Sequence, residues 1–171
     1  MINFNKSYKK NIKDSIEVKK KLSNKNFEKK VSLIVDVITN SLSAGGKVLL
    51  CGNGGSAADA QHLAAELLIR LRPHVNRAPL PAISLAMDSS TMTACSNDYS
   101  YKYLFSRILQ ALGNKNDILI GISTSGNSQN IIEALKVAKK KSIFSVAMLG
   151  GTGGKAKGLA DLDLIMPSKE T

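Results

Sequence analysis

Five short apolar runs restrict this chain's fold more than any other feature: "KVLLC" (47–51), "AISLA" (82–86), "DILIGI" (117–122), "FSVAML" (144–149) and "LDLIM" (162–166). Segments of helical spacing separate them, near 56–71, 101–112, 128–141 and 154–160. Continuous apolar strands alternating with helices require a parallel sheet covered on both faces, because each crossover lays a helix above or below it. The expectation is an α/β domain with a doubly wound, five-stranded parallel sheet in an αβα sandwich. In such sheets ligands bind beyond the carboxyl ends of the strands, where the strand order reverses.

Ahead of the first strand, Ile12, Ile16 and Val18 mark a lysine-rich helix, and Val31, Ile34, Val35 and Ile38 give a second helix an amphipathic series. Gly45 and Gly46 stop it. Residues 1–43 therefore read as N-terminal helices, an appendage suited to packing against a second subunit, and residues 1–171 as a single domain. A chain of this length buries about 70% of its unfolded surface and needs no staples. Cys51 and Cys95 are far apart and read as buried free thiols.

The start, "MINFNKSYKK", is too polar for a signal peptide, and no run approaches the ~20 apolar residues that span a bilayer. No membrane association and a cytoplasmic location are the expectations. The net charge of +11 raises the question of nucleic acid. Lysines crowd the first thirty residues and recur at Lys139, Lys140 and Lys141, without the interleaved aromatic or glycine pattern of an RNA-binding module. They read as solvated helix faces.

Two strand ends look alike. "CGNGGSAADAQ" follows the first strand and "GISTSGNSQNIIEAL" the third, each a small polar loop opening a helix. Helix N-termini present unpaired N–H groups and a positive dipole end, and glycine lets backbone approach an anion closely. In the second loop Ser123, Thr124, Ser125 and Ser128 offer more hydroxyls than a simple cap uses, with Asn127 or Ser128 placed to cap the helix. Phosphate is the expected guest. Neither the dinucleotide fingerprint nor the P-loop spacing is present.

His62 and Glu66 stand i, i+4 on the helix leaving the first loop, so they share one face. Such a pair can hold a divalent metal, supply a general base, or simply face solvent. His74, in "RLRPHVNRAP", reads as an incidental loop residue.

Taken together, "CGNGGSAADAQHLAAEL", "SND", "ALGNKNDILIGISTSGNS" and "GGTGGK" resemble the sugar isomerase (SIS) domain family, and within it the branch acting on heptose phosphates. The resemblance runs from about residue 30 to the end. It implies a flavodoxin-like sandwich and a homotetramer with active sites between subunits. The reaction it implies converts sedoheptulose 7-phosphate to D-glycero-D-manno-heptose 7-phosphate through an enediol, for lipopolysaccharide core heptose. By position it assigns Asn53, Gly54, Gly55 and Ser56 to one substrate-binding loop and Asn97 with Asp98 to another. Ser123, Thr124, Ser125 and Ser128 match its phosphate cradle. His62 and Glu66 match two ligands of one zinc per subunit, Glu66 also matches the acid/base, and Arg70 matches an arginine near the sugar.

The family continues into a C-terminal helix with an RxQExH-like motif, which supplies two further zinc ligands, whereas this sequence stops at "MPSKET". The resemblance thus implies a natural chain that runs on past Thr171. The alternative from another class is a non-catalytic SIS protein that binds the DNA replication initiator. That group tends to lose the carboxylate at the position of Glu66, so its presence favours the enzyme.

Overall fold

The structure is a computed structural model and describes residues 4–168. Two helices, α1 (Phe4–Leu22) and α2 (Lys25–Ser43), precede β1 (Val48–Cys51), α3 (Gly55–Leu68), β2 (Ala82–Ser84) and α4 (Ser89–Asp98). A 3-10 turn (Tyr101–Tyr103), α5 (Leu104–Leu112), β3 (Ile118–Ser123), α6 (Gln129–Lys140), β4 (Phe144–Gly150) and β5 (Leu162–Met166) follow. All strand pairs are parallel, in the order β2-β1-β3-β4-β5. This is the doubly wound sandwich expected. The order reverses between β1 and β3, so the loops after these two strands open at the switch point.

Alternation along the strands feeds two cores. Leu49, Cys51 and Leu119 face one side, where they meet Leu104, Phe105 and Leu109 of α5 and Ile131, Ala134, Leu135 and Ala138 of α6. The α6 set follows the i, i+3, i+4, i+7 spacing of a helix with one buried stripe. Val48, Leu50, Ile118 and Ile120 face the other side, against Ala60 and Ala64 of α3 and Ile34, Val37, Ile38 and Leu42 of α2. The alanines let α3 approach closely. Each fully buried leucine contributes roughly 2–3 kcal/mol.

Three expectations are corrected, and one element is new. The buried face of α2 is Ile34, Val37, Ile38 and Leu42, while Val31 and Val35 are exposed. The 154–160 segment holds only a 3-10 turn (Gly154–Ala156), because Gly153, Gly154 and Gly158 take positive φ, outside helical geometry. Helix α4 is an element the apolar pattern does not announce, since its stretch "SSTMTACSND" has little periodicity; Asp88 caps it, accepting from the Thr91 amide at 2.6 Å. Asp117 ends its loop rather than starting β3. It is buried and accepts hydrogen bonds from the Lys47 amide (3.0 Å), Lys47 Nζ (2.8 Å) and the Asn114 amide (2.7 Å).

Helix α1 buries none of its residues, and Phe4, Tyr8, Ile12 and Ile16 are all exposed along it. Among the described residues no helix is long and apolar enough to cross a membrane.

Candidate active site

The chain leaves β1 through residues 52–54. Gly52 is required there by space, because a Cβ would lie 2.3 Å from the Ser56 carbonyl oxygen. Gly54 has φ +54 and is the N-cap of α3, so no side chain caps the first turn of that helix. The Ser56 amide donates to the Asn53 carbonyl (3.0 Å) and the Ala57 amide to the Gly54 carbonyl (3.0 Å), which closes the first turn on the loop. Ahead of the loop, Cys51 is buried, and burial pushes its thiol up to about 12. A thiol so placed stays protonated and is no nucleophile.

The second loop follows β3. Ser123 is buried, and its Oγ accepts from the Gly126 amide (3.2 Å) and bonds Ser128 Oγ (3.1 Å). Ser125 Oγ accepts from the Asn127 amide at 3.2 Å. Ser128 is the N-cap of α6, yet its side chain makes no capping bond, and neither does that of Asn127. The hydroxyls are therefore not consumed by capping, and Thr124 and Ser125 are exposed at the loop. This corrects the cap expectation and leaves a set of donors at the positive end of a helix.

A third loop, after β4, grips the second, a role outside the expectations for it. The Gly150 amide donates to the Thr124 carbonyl (3.1 Å), the Ala156 amide to the Gly126 carbonyl (2.8 Å) and the Lys155 amide to Asn127 Oδ1 (3.1 Å). The signal lies in "GGTGGK", where Gly151, Gly153 and Gly154 adopt the positive φ that this close approach needs.

Across the switch point the first and second loops are tied together by a reciprocal amide pair. Asn53 Nδ2 donates to Asn130 Oδ1 (2.9 Å) and Asn130 Nδ2 to Asn53 Oδ1 (2.8 Å). Tyr101 Oη adds a third bond to Asn53 Oδ1 at 2.9 Å. Neither Asn130 nor Tyr101 is marked by any motif in the sequence. Asn97 and Asp98, expected in a loop, occupy the exposed last turn of α4, where Asn97 Nδ2 donates to Asp98 Oδ1 (2.8 Å). The segment leaving them brings Tyr101 to the first loop.

On α3, His62 Nε2 and Glu66 Oε1 stand 3.6 Å apart, with the histidine side chain 70% and the glutamate 25% exposed. Arg77 donates to the Glu66 carbonyl at 2.6 Å and secures this turn. Arg70 donates to the Pro73 carbonyl (3.0 Å), and His74 is exposed in the loop beyond. Among the described residues no group of three His, Cys, Asp or Glu side chains could hold a metal. His62 and Glu66 form a two-donor pair, whose spacing fits one edge of a zinc tetrahedron, about 3.3 Å for ligands near 2 Å.

A cavity of about 560 Å³ opens beyond the ends of β3, β4 and β5, walled by Ile122, Met148 and Met166 and touching Thr124 and Ser125. Asn53, His62 and Glu66 do not line it. Its walls are mostly apolar, unlike the polar loops after β1 and β3.

The SIS domain profile matches residues 7–150, and the chain belongs to the SIS domain family. It is similar to the phosphoheptose isomerase of Pelodictyon phaeoclathratiforme, 51% identical over 153 residues, 90% of this chain and 72% of that one. With that of Clostridium acetobutylicum it shares 48% over 161 residues, 94% of this chain and 81% of the other. Among solved structures, the phosphoheptose isomerase of Neisseria gonorrhoeae superposes with a TM-score of 0.89 at 37% identity, covering 99% of this chain and 90% of that one. That of Francisella tularensis gives 0.91 at 35%, covering 99% and 88%.

Proposed function

We infer that this chain is a sugar-phosphate isomerase and that its substrate is sedoheptulose 7-phosphate, converted to D-glycero-D-manno-heptose 7-phosphate for lipopolysaccharide core heptose. One observation carries the reading. Two donor-rich loops flank the switch point and are tied by Asn53 and Asn130, and the helix leaving the first loop carries a partly buried carboxylate, Glu66. The similarity to phosphoheptose isomerases over most of the chain supports the choice of a heptose.

Moving a carbonyl between C2 and C1 of an open sugar transfers a proton through an enediol, which needs a base and stabilisation of the developing oxyanion. Glu66 takes the proton from C1 of the ketose and returns it at C2. Residues 123–128 hold the phosphate, and residues 53–56 with Asn97 and Asp98 hold the sugar between. Anchoring the far end uses binding energy to fix the reacting carbons. Zinc, when bound, supplies electrophilic stabilisation of the oxyanion, and His62 and Glu66 are two of its ligands; the other two that the resemblance implies are not among the described residues.

The unburied stripe of α1 supports an assembly of subunits, and a homotetramer in the cytoplasm is the form we infer. A coupled assay with sedoheptulose 7-phosphate tests the reaction, and absence of turnover by zinc-loaded protein overturns it. Zinc analysis of the full-length protein tests the metal: about one per subunit is expected, and full activity without any rules it out.

A further inference from the structure

The direction of every proton around Tyr101 is dictated from inside the fold. The Ile131 backbone N–H can only donate, and it is shared between Asn130 Oδ1 at 3.0 Å and the Ser128 carbonyl at 3.1 Å. Asn130 is 3% exposed, and turning its amide over would set its Nδ2 hydrogens against the Ile131 N–H with no access to water to relieve them. Its Nδ2 therefore faces Asn53 Oδ1, which fixes the Asn53 amide in turn. With Asn53 Oδ1 an acceptor, the Tyr101 hydroxyl must spend its hydrogen on it.

What remains is polar in a defined sense. Asn53 Nδ2 has given one hydrogen to Asn130 and keeps another, while Tyr101 Oη keeps its lone pairs. In a reciprocal amide pair the spare Nδ2 hydrogen points away from the Oδ1 edge that Tyr101 meets, so what stands at that edge is an acceptor, Tyr101 Oη. Of the groups on a sugar phosphate, an ionised phosphate or a carbonyl can only accept, whereas a hydroxyl can donate to Tyr101. Tyr101 is exposed, so its face is open to a ligand.

We propose that Tyr101 is a specificity-determining residue whose Oη accepts from one hydroxyl of the sugar phosphate, and that Asn53 and Asn130 are the positioning residues that preset its polarity. The proposal rests on the sugar-phosphate reading above and adds to it the part of the substrate read at this point. A site built to pair with a hydroxyl discriminates strongly, because its own polar groups are left unpaired when the hydroxyl is missing.

Tyr101→Phe removes the acceptor and leaves the phosphate loop untouched. Titration of the full chain with inorganic phosphate should give a Kd within about twofold of the parent, while the Kd and KM for sedoheptulose 7-phosphate rise about tenfold or more and kcat falls by less than KM rises. Tyr101→His, which restores a ring acceptor, should recover part of the loss. A Kd for the sugar phosphate within twofold of the parent overturns the proposal. So does a parallel rise in the phosphate Kd, since that reports a structural role. A parent that binds sedoheptulose 7-phosphate no more tightly than phosphate overturns this proposal and the substrate reading together. A parent that binds it tightly without turning it over sinks only the assigned reaction.

Discussion

Gly126 and Gly153 meet backbone to backbone: a Cβ on Gly126 would stand 1.9 Å from the Gly153 carbonyl oxygen, and Gly126 itself has φ +64. The serine loop and the loop after β4 are thus one rigid unit, held by this contact and by the bonds to Thr124, Gly126 and Asn127. A loop already fixed loses little freedom when it closes on an anion, which favours binding.

Gly126→Ala is therefore expected to lower stability by more than about 2 kcal/mol, combining left-handed backbone with a clash that only the main chain of Gly153 could relieve. Gly55→Ala is the control. Nothing lies within 4 Å of a Cβ there, and its φ is not positive. Chemical denaturation of both variants should separate them, with Gly55→Ala within about 1 kcal/mol of the parent.

Glu66→Gln should cut kcat by about 10²–10⁴-fold, the contribution of a placed general base, while phosphate affinity is unchanged. The isosteric amide keeps the helix and its Arg77 contact, which engages the Glu66 main-chain carbonyl. Turnover equal to the parent in the coupled assay would dismiss the assignment.

Ser125→Ala combined with Ser128→Ala should weaken phosphate binding itself, by about tenfold or more, because two hydroxyl donors leave the anion. Ser128 also bonds Ser123 at 3.1 Å, so the double variant loosens the loop as well as depleting it. Calorimetric titration with inorganic phosphate reads the change, and an unaltered Kd would contradict the cradle.

The buried Cys51 thiol, pushed up to about 12 from 9.0 by desolvation, makes stability depend on alkaline pH. The folded state holds the thiol proton more tightly than the unfolded state, so its contribution is complete below pH 9 and is lost as pH rises from 9 towards 12. The slope is at most about 1.4 kcal/mol per pH unit. Denaturation midpoints of the parent and Cys51→Ala over that range should converge; parallel curves would show that the thiol does not titrate on unfolding.

The functional loops are legible in the sequence because their chemistry is local. Ser123, Thr124, Ser125 and Ser128 lie within six residues, and His62 and Glu66 share a helix face by spacing alone. The corrected expectations have equally physical causes. Val31 and Val35 fit the helical period as well as Val37 does, and only the angle at which α2 meets the sheet decides which valine is covered. Helix α4 leaves no apolar signature because its one fully covered side chain is Cys95, and a single buried residue gives no period.

From the sequence alone come the strand count, the parallel sheet, and the two glycine- and serine-rich loops that open helices, since apolar runs, helical periods and glycine-to-helix turns are properties of neighbouring residues. The fold decides the rest. That Asn53 pairs with Asn130 across 77 positions and that Tyr101 gives its proton to Asn53 follow from β1 and β3 lying adjacent in the sheet, and that Gly153 needs Gly126 to have no side chain follows from β3 lying beside β4. Such contacts are set by closing long loops against one another, and no local pattern carries their register.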